Sequence, residues 1–265
     1  MSAEPHEVGG SCGPLKVWLD RNESLLCLRL ARPKANIIDH AMIAALTHAL
    51  NEHHQPGRLR AAMIDAEGPH FSFGASVEEH LPDQCTRMLK SLHTLLVTML
   101  EWPRPILVAV QGQCLGGGLE LAAAGTRIFA SRDAQLGQPE IQLGVFAPAA
   151  SCLLPLRIGQ PAAEDLLFSG RSVGAEEALR LGLVQHVSTS GHDAALEYFD
   201  QHLAAKSASS LGYAVRAARE ALLPEVRRRL EAVEWLYLEG LMTTHDANEG
   251  LAAFLVKRQP VWEHQ

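Results

Sequence analysis

The chain has 265 residues, 47% of them hydrophobic and 20% charged, with a formal net charge of −7. That length fits one large domain, or a domain with an appendage, and the composition excludes a disordered chain. The acidic balance argues against a general nucleic-acid binder, and every long apolar run is broken by Arg, Glu or Pro before it could cross a membrane.

The N-terminus lacks a basic stretch followed by an apolar one, so no signal peptide is expected. Cys12, Cys27, Cys85, Cys114 and Cys152 are odd in number, widely spread and without a C-x-x-C, which reads as reduced thiols of a cytoplasmic protein. Residues 1–14 read as a loose tail. Residues 15–20 and 26–30 alternate apolar and polar side chains on either side of Arg21-Asn-Glu-Ser24, which predicts a β-hairpin. Arg32-Pro-Lys-Ala-Asn36 is a loop and Asp39 an N-cap. Met42, Leu46 and Leu50 then share one helical stripe, which stops near His53-His-Gln-Pro-Gly57. A short buried strand follows over 61–65, then a loop over 67–76 carrying Phe71 and Phe73. Leu89, Leu92, Leu96, Met99 and Leu100 mark a second helix ending before Pro103.

The chain is organised around what comes next. Residues 105–110 are an apolar run that reads as a buried strand. Gln111-Gly-Gln-Cys-Leu-Gly-Gly-Gly-Leu-Glu120 then opens a helix running from Gly116 to about Gly125. Glycines let a ligand approach the backbone, and a helix start presents unpaired N–H groups with positive dipole character, which suits an oxyanion. An echo, Gly137-Gln-Pro-Glu-Ile-Gln-Leu-Gly144, carries Glu140 in a loop. Glycine-framed donors with two carboxylates are the parts needed for acyl chemistry through an enolate. Strands are expected at 126–130, 134–137 and 183–187, and helices at 148–155, 160–168 and 174–181. From Gly191 the pattern is helical without strands. A boundary near 189–192 therefore divides an α/β core, residues 15–190, from a helical region, residues 191–265.

Each motif has a plainer reading. The glycine cluster matches neither G-x-G-x-x-G nor a P-loop, and could serve packing alone. Glu120 in a first helical turn is ordinarily a solvated charge; among its apolar neighbours Leu119, Leu121, Ala122 and Ala123 it is either exposed by geometry or held in a pocket with a raised pKa. Glu140 alone could be a loop charge. None of the thirteen histidines falls in a metal-binding spacing, so no metal site is expected. Gly74-Ala-Ser76 lacks the second glycine of a serine-hydrolase elbow, and Arg227-Arg-Arg229 reads as a solvated helix face.

Taken together and in order, these motifs resemble the enoyl-CoA hydratase/isomerase (crotonase) superfamily, over nearly the whole chain beyond the tail. The strongest stretches are Leu115-Gly-Gly-Gly-Leu-Glu-Leu-Ala122 and 137–144. Arg32-Pro-Lys-Ala-Asn36, Phe73-Gly-Ala75, Phe168-Ser-Gly-Arg171, Ala178-Leu-Arg-Leu-Gly-Leu-Val184 and 249–258 support them. The resemblance implies an α/β spiral of ββα units with a C-terminal helical trimerisation region, as a homotrimer or hexamer. It implies Glu120 and Glu140 as catalytic carboxylates, and the N–H groups of Phe73 and Gly117 as donors to a thioester oxygen. Lys34, Ala35, Ser72, Ala75, Gly116 and Phe146 would line the acyl-CoA site, with Phe254 and Lys257 reaching the CoA of a neighbouring subunit. CoA is part of the substrate, and no separate cofactor is implied. Two segments, 72–80 and 145–152, depart from linear-chain hydratases. They are similar to the branch of the family that hydrates a cyclic dienoyl-CoA in anaerobic benzoyl-CoA breakdown. An ordinary short-chain hydratase or isomerase, and a non-catalytic or RNA-binding use of the scaffold, are the alternatives.

Overall fold

The computed structural model describes residues 6–7, 13–55, 57–81 and 83–265. A seven-stranded sheet has the spatial order β1-β2-β3-β4-β5-β7-β10. Its strands are β1 (His6–Glu7), β2 (Leu15–Asp20), β3 (Leu25–Leu30), β4 (Ala61–Ala66), β5 (Ile106–Val110), β7 (Arg127–Ser131) and β10 (His186–Ser188). The first three pair antiparallel and the rest parallel. Parallel strands are covered on both faces, and every residue of β5 is accordingly buried. The period of two sorts the side chains. Leu26, Leu28, Ile106, Val108 and Val110 face the main core, while Leu25, Cys27, Leu107 and Ala109 face a second, smaller one.

A three-stranded sheet joins β6 (Gln113–Leu115), β8 (Gln135–Gly137) and β9 (Ser172–Gly174). The chain leaves β5 for β6 and enters α3 (Gly117–Ala124). It then repeats the step from β7 to β8 and into α4 (Pro148–Ile158). This is the expected ββα spiral. The helices α1 (His40–Glu52) and α2 (Cys85–Glu101) cover the main core. Asp39 caps α1 by accepting from the Met42 N–H at 2.9 Å, as its sequence position predicts. After α4 come α5 (Gln160–Ser169) and α6 (Ala175–Leu181).

From Gly191 to Leu255 the chain is mainly helical, with α7 (Gly191–Tyr198), α8 (Ala208–Arg219), α9 (Leu222–Trp235) and α10 (His245–Leu255), and residues 256–265 follow without a helix. The apolar faces of these helices join the cores of the preceding residues. Ala195, Phe199 and Leu203 fill the second face of the large sheet, and Val226, Leu230, Tyr237 and Leu251 enter the main core. Asp65 on β4 fastens α7 to the sheet. It accepts two hydrogen bonds from Arg29, at 2.8 and 2.6 Å, and meets His192 Nδ1 at 2.7 Å.

Several elements differ from the sequence expectation. Glu140 lies in a 3-10 turn, Pro139–Leu143, and not in an open loop. The helix expected at 148–155 runs on to Ile158, with Pro155 inside it. The strand expected at 183–187 begins at His186, because Leu183 and Val184 are buried in the turn that ends α6. His6–Glu7, expected within a loose tail, pair with β2, and the rest of the expected tail up to Cys12 lies outside the described residues. The three-residue strands β6 and β9 are too short to show a period of two in the sequence.

Candidate active site

Two backbone segments bring the carboxylates together. The Gly116 N–H donates to the Gly137 carbonyl at 2.9 Å, continuing the parallel pairing of β6 with β8. The chain beyond each strand therefore runs side by side, one into α3 with Glu120 and the other into the 3-10 turn with Glu140. Gly116 has φ +49°, and a Cβ built on it would stand 2.5 Å from Glu140 Oε1, so only glycine admits the carboxylate here. The next two glycines serve packing. A Cβ at Gly117 would meet Ala75 at 3.0 Å, and one at Gly118 would meet the Ser72 side chain at 2.6 Å.

Glu120 is 3% exposed. Its Oε1 accepts a hydrogen bond from the Ala150 N–H at 2.8 Å. Ala150 lies in the first turn of α4, whose own N-cap, Ala147, offers no side-chain acceptor. The Glu120 carboxylate takes that place at the positive end of the helix. Burial pushes its pKa up to about 7, and the N–H groups of Ala150 and Ala149 pull it part of the way back. Glu140 is pushed up to about 8, first by burial and then by the charge of Glu120. The pair therefore titrates as a unit, and both carboxyls hold their protons to higher pH than a free glutamate does. Turned with its nitrogen toward Glu140, the buried Gln138 amide lies 3.0 and 3.2 Å from the two carboxylate oxygens.

The start of α3 leaves the Gly117 N–H without an intrahelical acceptor. Beside it lies Gly74, at φ +109°, where a built Cβ would be 3.6 Å from the Gly117 nitrogen. The second expected donor stands otherwise. The Phe73 N–H donates to the Ala35 carbonyl at 2.9 Å, so in this arrangement it is engaged and not free. The cause is pairing between two loops, since residues 35–38 run alongside 73–75 and Ile38 bridges Ala75. The Phe73 ring is 44% exposed and stands edge-on to His70, with centroids 4.9 Å apart. Ser72, expected to line the site, is fully buried. Its hydroxyl donates to the Asn36 carbonyl at 2.8 Å and accepts from the Gly74 N–H at 3.0 Å, so it braces the two loops from beneath.

Lys34 is exposed and Ala35 half-buried on the same loop. Phe146 is half-buried, its ring edge-on to Tyr237 at 5.2 Å between centroids. Phe254 and Lys257 are exposed at the end of α10. Three neighbours escape a reading by motif: Gln138 beside Glu140, the N–H of Ala150 on Glu120, and Tyr237 against Phe146. Gln138 stands in the Gly137–Gly144 stretch and could have been found there. The other two come from helix packing and left no local signal. Among the described residues, no group of three or more His, Cys, Asp or Glu could hold a metal ion, and no helix is long and apolar enough to cross a membrane.

A family model described as enoyl-CoA hydratase/isomerase matches residues 20–265. The chain is 64% identical over 252 residues to cyclohexa-1,5-dienecarbonyl-CoA hydratase of Thauera aromatica, covering 95% of this chain and 98% of that one. It is 32% identical over 248 residues to 2,3-dehydroadipyl-CoA hydratase of Escherichia coli, covering 91% and 96%. A solved enoyl-CoA hydratase/isomerase from Pseudoalteromonas atlantica superposes with a TM-score of 0.81 at 29% identity, over 94% of this chain and 99% of that one. An enoyl-CoA hydratase from Mycobacterium avium subsp. paratuberculosis gives a TM-score of 0.82 at 23% identity, over 94% and 98%, a likeness of fold.

Proposed function

The chain belongs to the enoyl-CoA hydratase/isomerase family, and we propose that its reaction is the 1,4-addition of water to cyclohexa-1,5-diene-1-carbonyl-CoA, giving 6-hydroxycyclohex-1-ene-1-carbonyl-CoA. The observation that carries this reading is the pair of raised carboxyls brought together beyond β6 and β8, Glu120 in α3 and Glu140 in the 3-10 turn, joined to a 64% likeness spanning almost the whole chain.

The thioester oxygen binds at the Gly117 N–H. The Phe73 N–H reaches it by sharing or leaving the Ala35 carbonyl. Negative charge grows on that oxygen as water attacks the β-carbon, so donors fixed there favour the transition state over the ground state. Glu120 is the base. The α4 N–H group it accepts from stabilises its anion, and it takes a proton from water. The oxygen bonds to the β-carbon, and the electrons pass through the ring to a dienolate. Glu140 gives its proton to the far carbon of the diene. The remaining double bond shifts next to the carbonyl, and one water has been added. The charge of Glu120 raises Glu140, so the pair favours one ionised and one protonated carboxyl over two ionised ones.

Lys34 and Ala35 lie along the CoA chain in this reading, and Ala75, Gly116 and Phe146 bound the acyl group. CoA is part of the substrate, and no step calls on a separate cofactor. Exposed Phe254, Val256, Val261 and Trp262 near the C-terminus suit a homotrimer or paired trimers in the cytoplasm, with Phe254 and Lys257 serving the neighbouring subunit's CoA. The test is a spectrophotometric hydration assay on the cyclic dienoyl-CoA beside crotonyl-CoA. Turnover of the cyclic thioester at a higher kcat/KM is expected. Preference for crotonyl-CoA would move the chain to the linear-substrate hydratases.

A further inference from the structure

Tyr237 sits in the wide π turn Leu236–Gly240 that follows α9, and it is fully buried. Its hydroxyl has no hydrogen-bond partner among the described residues. Buried phenol groups ordinarily find one, and an unpaired one costs stability. A π turn widens a helix and re-aims its side chains, and such turns recur at functional sites. Here the turn sets the ring edge-on against Phe146, in the 145–152 segment. The same segment continues into α4 and the Ala150 N–H that holds Glu120.

Burial pushes the phenol far up, and the charges of Cys85, Glu140 and Glu120 push it further. The group is therefore within electrostatic reach of both carboxyls and stays a protonated donor at neutral pH. It makes no hydrogen bond to either glutamate in the protein alone. Its buried position keeps it from the exposed Lys34 side of the site, where the CoA chain would run. Its ring lies against Phe146, the side chain that bounds the acyl group in the reading above.

We propose, resting on the dienoyl-CoA reading above, that the Tyr237 hydroxyl is the third polar group of the acyl site. It donates a hydrogen bond to the oxygen that arrives as water and stays as the product hydroxyl, and so helps fix which ring carbon is hydroxylated. Tyr237 keeps its proton throughout; Glu120 receives the proton of the water, and Glu140 supplies the one that goes to carbon.

The variant Tyr237→Phe keeps the ring against Phe146 and removes only the hydroxyl. Its melting temperature should equal or exceed that of the wild type, because an orphaned group is lost. Its kcat on the cyclic dienoyl-CoA should fall about tenfold with KM little changed, the worth of one neutral hydrogen bond. The deciding measurement is binding by calorimetry. The wild type should hold 6-hydroxycyclohex-1-ene-1-carbonyl-CoA more tightly than cyclohex-1-ene-1-carbonyl-CoA, and the variant should lose about tenfold of that preference. An unchanged preference, a wild type with none, or a variant that fails to fold would each overturn the proposal. A wild type that binds with this preference yet does not hydrate the diene would sink the dienoyl-CoA reading and leave the role of Tyr237 standing.

Discussion

The Glu140 carboxylate occupies the space where a side chain at residue 116 would begin: Oε1 lies 2.5 Å from the position of a Cβ on Gly116. The glycine thus does two things at once. It turns the chain at φ +49° into α3, and it leaves room for an acid from the adjoining segment.

Gly116→Ala tests this directly. The methyl group cannot share that space, and the backbone conformation is strained for any L side chain, at a cost of about 1–3 kcal/mol. Glu140 must swing away. A displacement of about 1 Å at a reacting group costs on the order of 10²-fold in rate. We expect kcat to fall by at least that much, with a modest loss of melting temperature. A variant that retains wild-type kcat would show that Glu140 need not stand where the structure puts it.

Replacing either carboxyl separates chemistry from stability. Glu120→Gln and Glu140→Gln should each lower kcat by about 10²–10⁴-fold, the range of a general acid or base, while binding of an acyl-CoA is largely kept. Both groups titrate higher in the folded chain than their ordinary value of 4.5. Between about pH 4.5 and pH 8 the native state holds more protons than the unfolded one, so stability falls as pH rises. Each variant should therefore lose part of that decline and gain melting temperature relative to the wild type at pH 8, but not at pH 5. Parallel melting curves of wild type and variants across that window would contradict the burial argument.

The contrast between these residues shows what a sequence makes legible. Gly116, Gly117 and Glu120 stand within one helical turn, so spacing alone places them at a common helix start. Asp39 is similar, a cap beside the helix it caps. Glu140 was suggested by motif, but its approach to Glu120 depends on β6 and β8, whose three-residue lengths give no periodic signal. The engagement of the Phe73 N–H with Ala35 is a pairing between distant loops, and it overrode the simplest expectation for that donor. Tyr237 meets Phe146 through the packing of the chain around α9 on α2 and α4, which no local pattern encodes.

The anchor between sheet and C-terminal helices is also open to test. Asp65 is 3% exposed and held below the usual carboxylate range; burial alone would raise it, but hydrogen bonds from Arg29 and His192 outweigh that. Such a depressed group adds stability above its ordinary pKa, and that contribution is lost as pH falls through the folded value. Asp65→Asn leaves Arg29 without its partner and should cost about 2–4 kcal/mol at pH 7, toward the lower end for a pair whose arginine is partly solvated. The gap between variant and wild type should narrow at acid pH. Equal urea midpoints at pH 7 would remove Asp65 from the forces that hold α7 to the sheet.

The last prediction concerns the hydrogen bond that stabilises the Glu120 anion. Its carboxylate accepts from the first turn of α4, where Ala147 supplies no cap of its own. Ala147 has extended backbone, φ −92° and ψ 101°, the geometry from which a serine hydroxyl reaches the N–H groups two or three residues on. Ala147→Ser therefore gives α4 a competing acceptor for the donors that lower the Glu120 pKa. With those donors shared, the anion of Glu120 is less favoured and its pKa rises further. The acid limb of the kcat/KM profile, which reports the base in the free enzyme, should move to higher pH. Activity near pH 6.5 should drop by roughly threefold to tenfold, for a shift of about half a unit to one unit, and should recover above pH 8. Folding should be almost untouched, because the helix exchanges one cap for another. An acid limb that stays in place while the hydroxyl is seen to cap α4 would mean that burial alone sets the proton affinity of Glu120, and the helix start would lose its part in choosing which glutamate is the base.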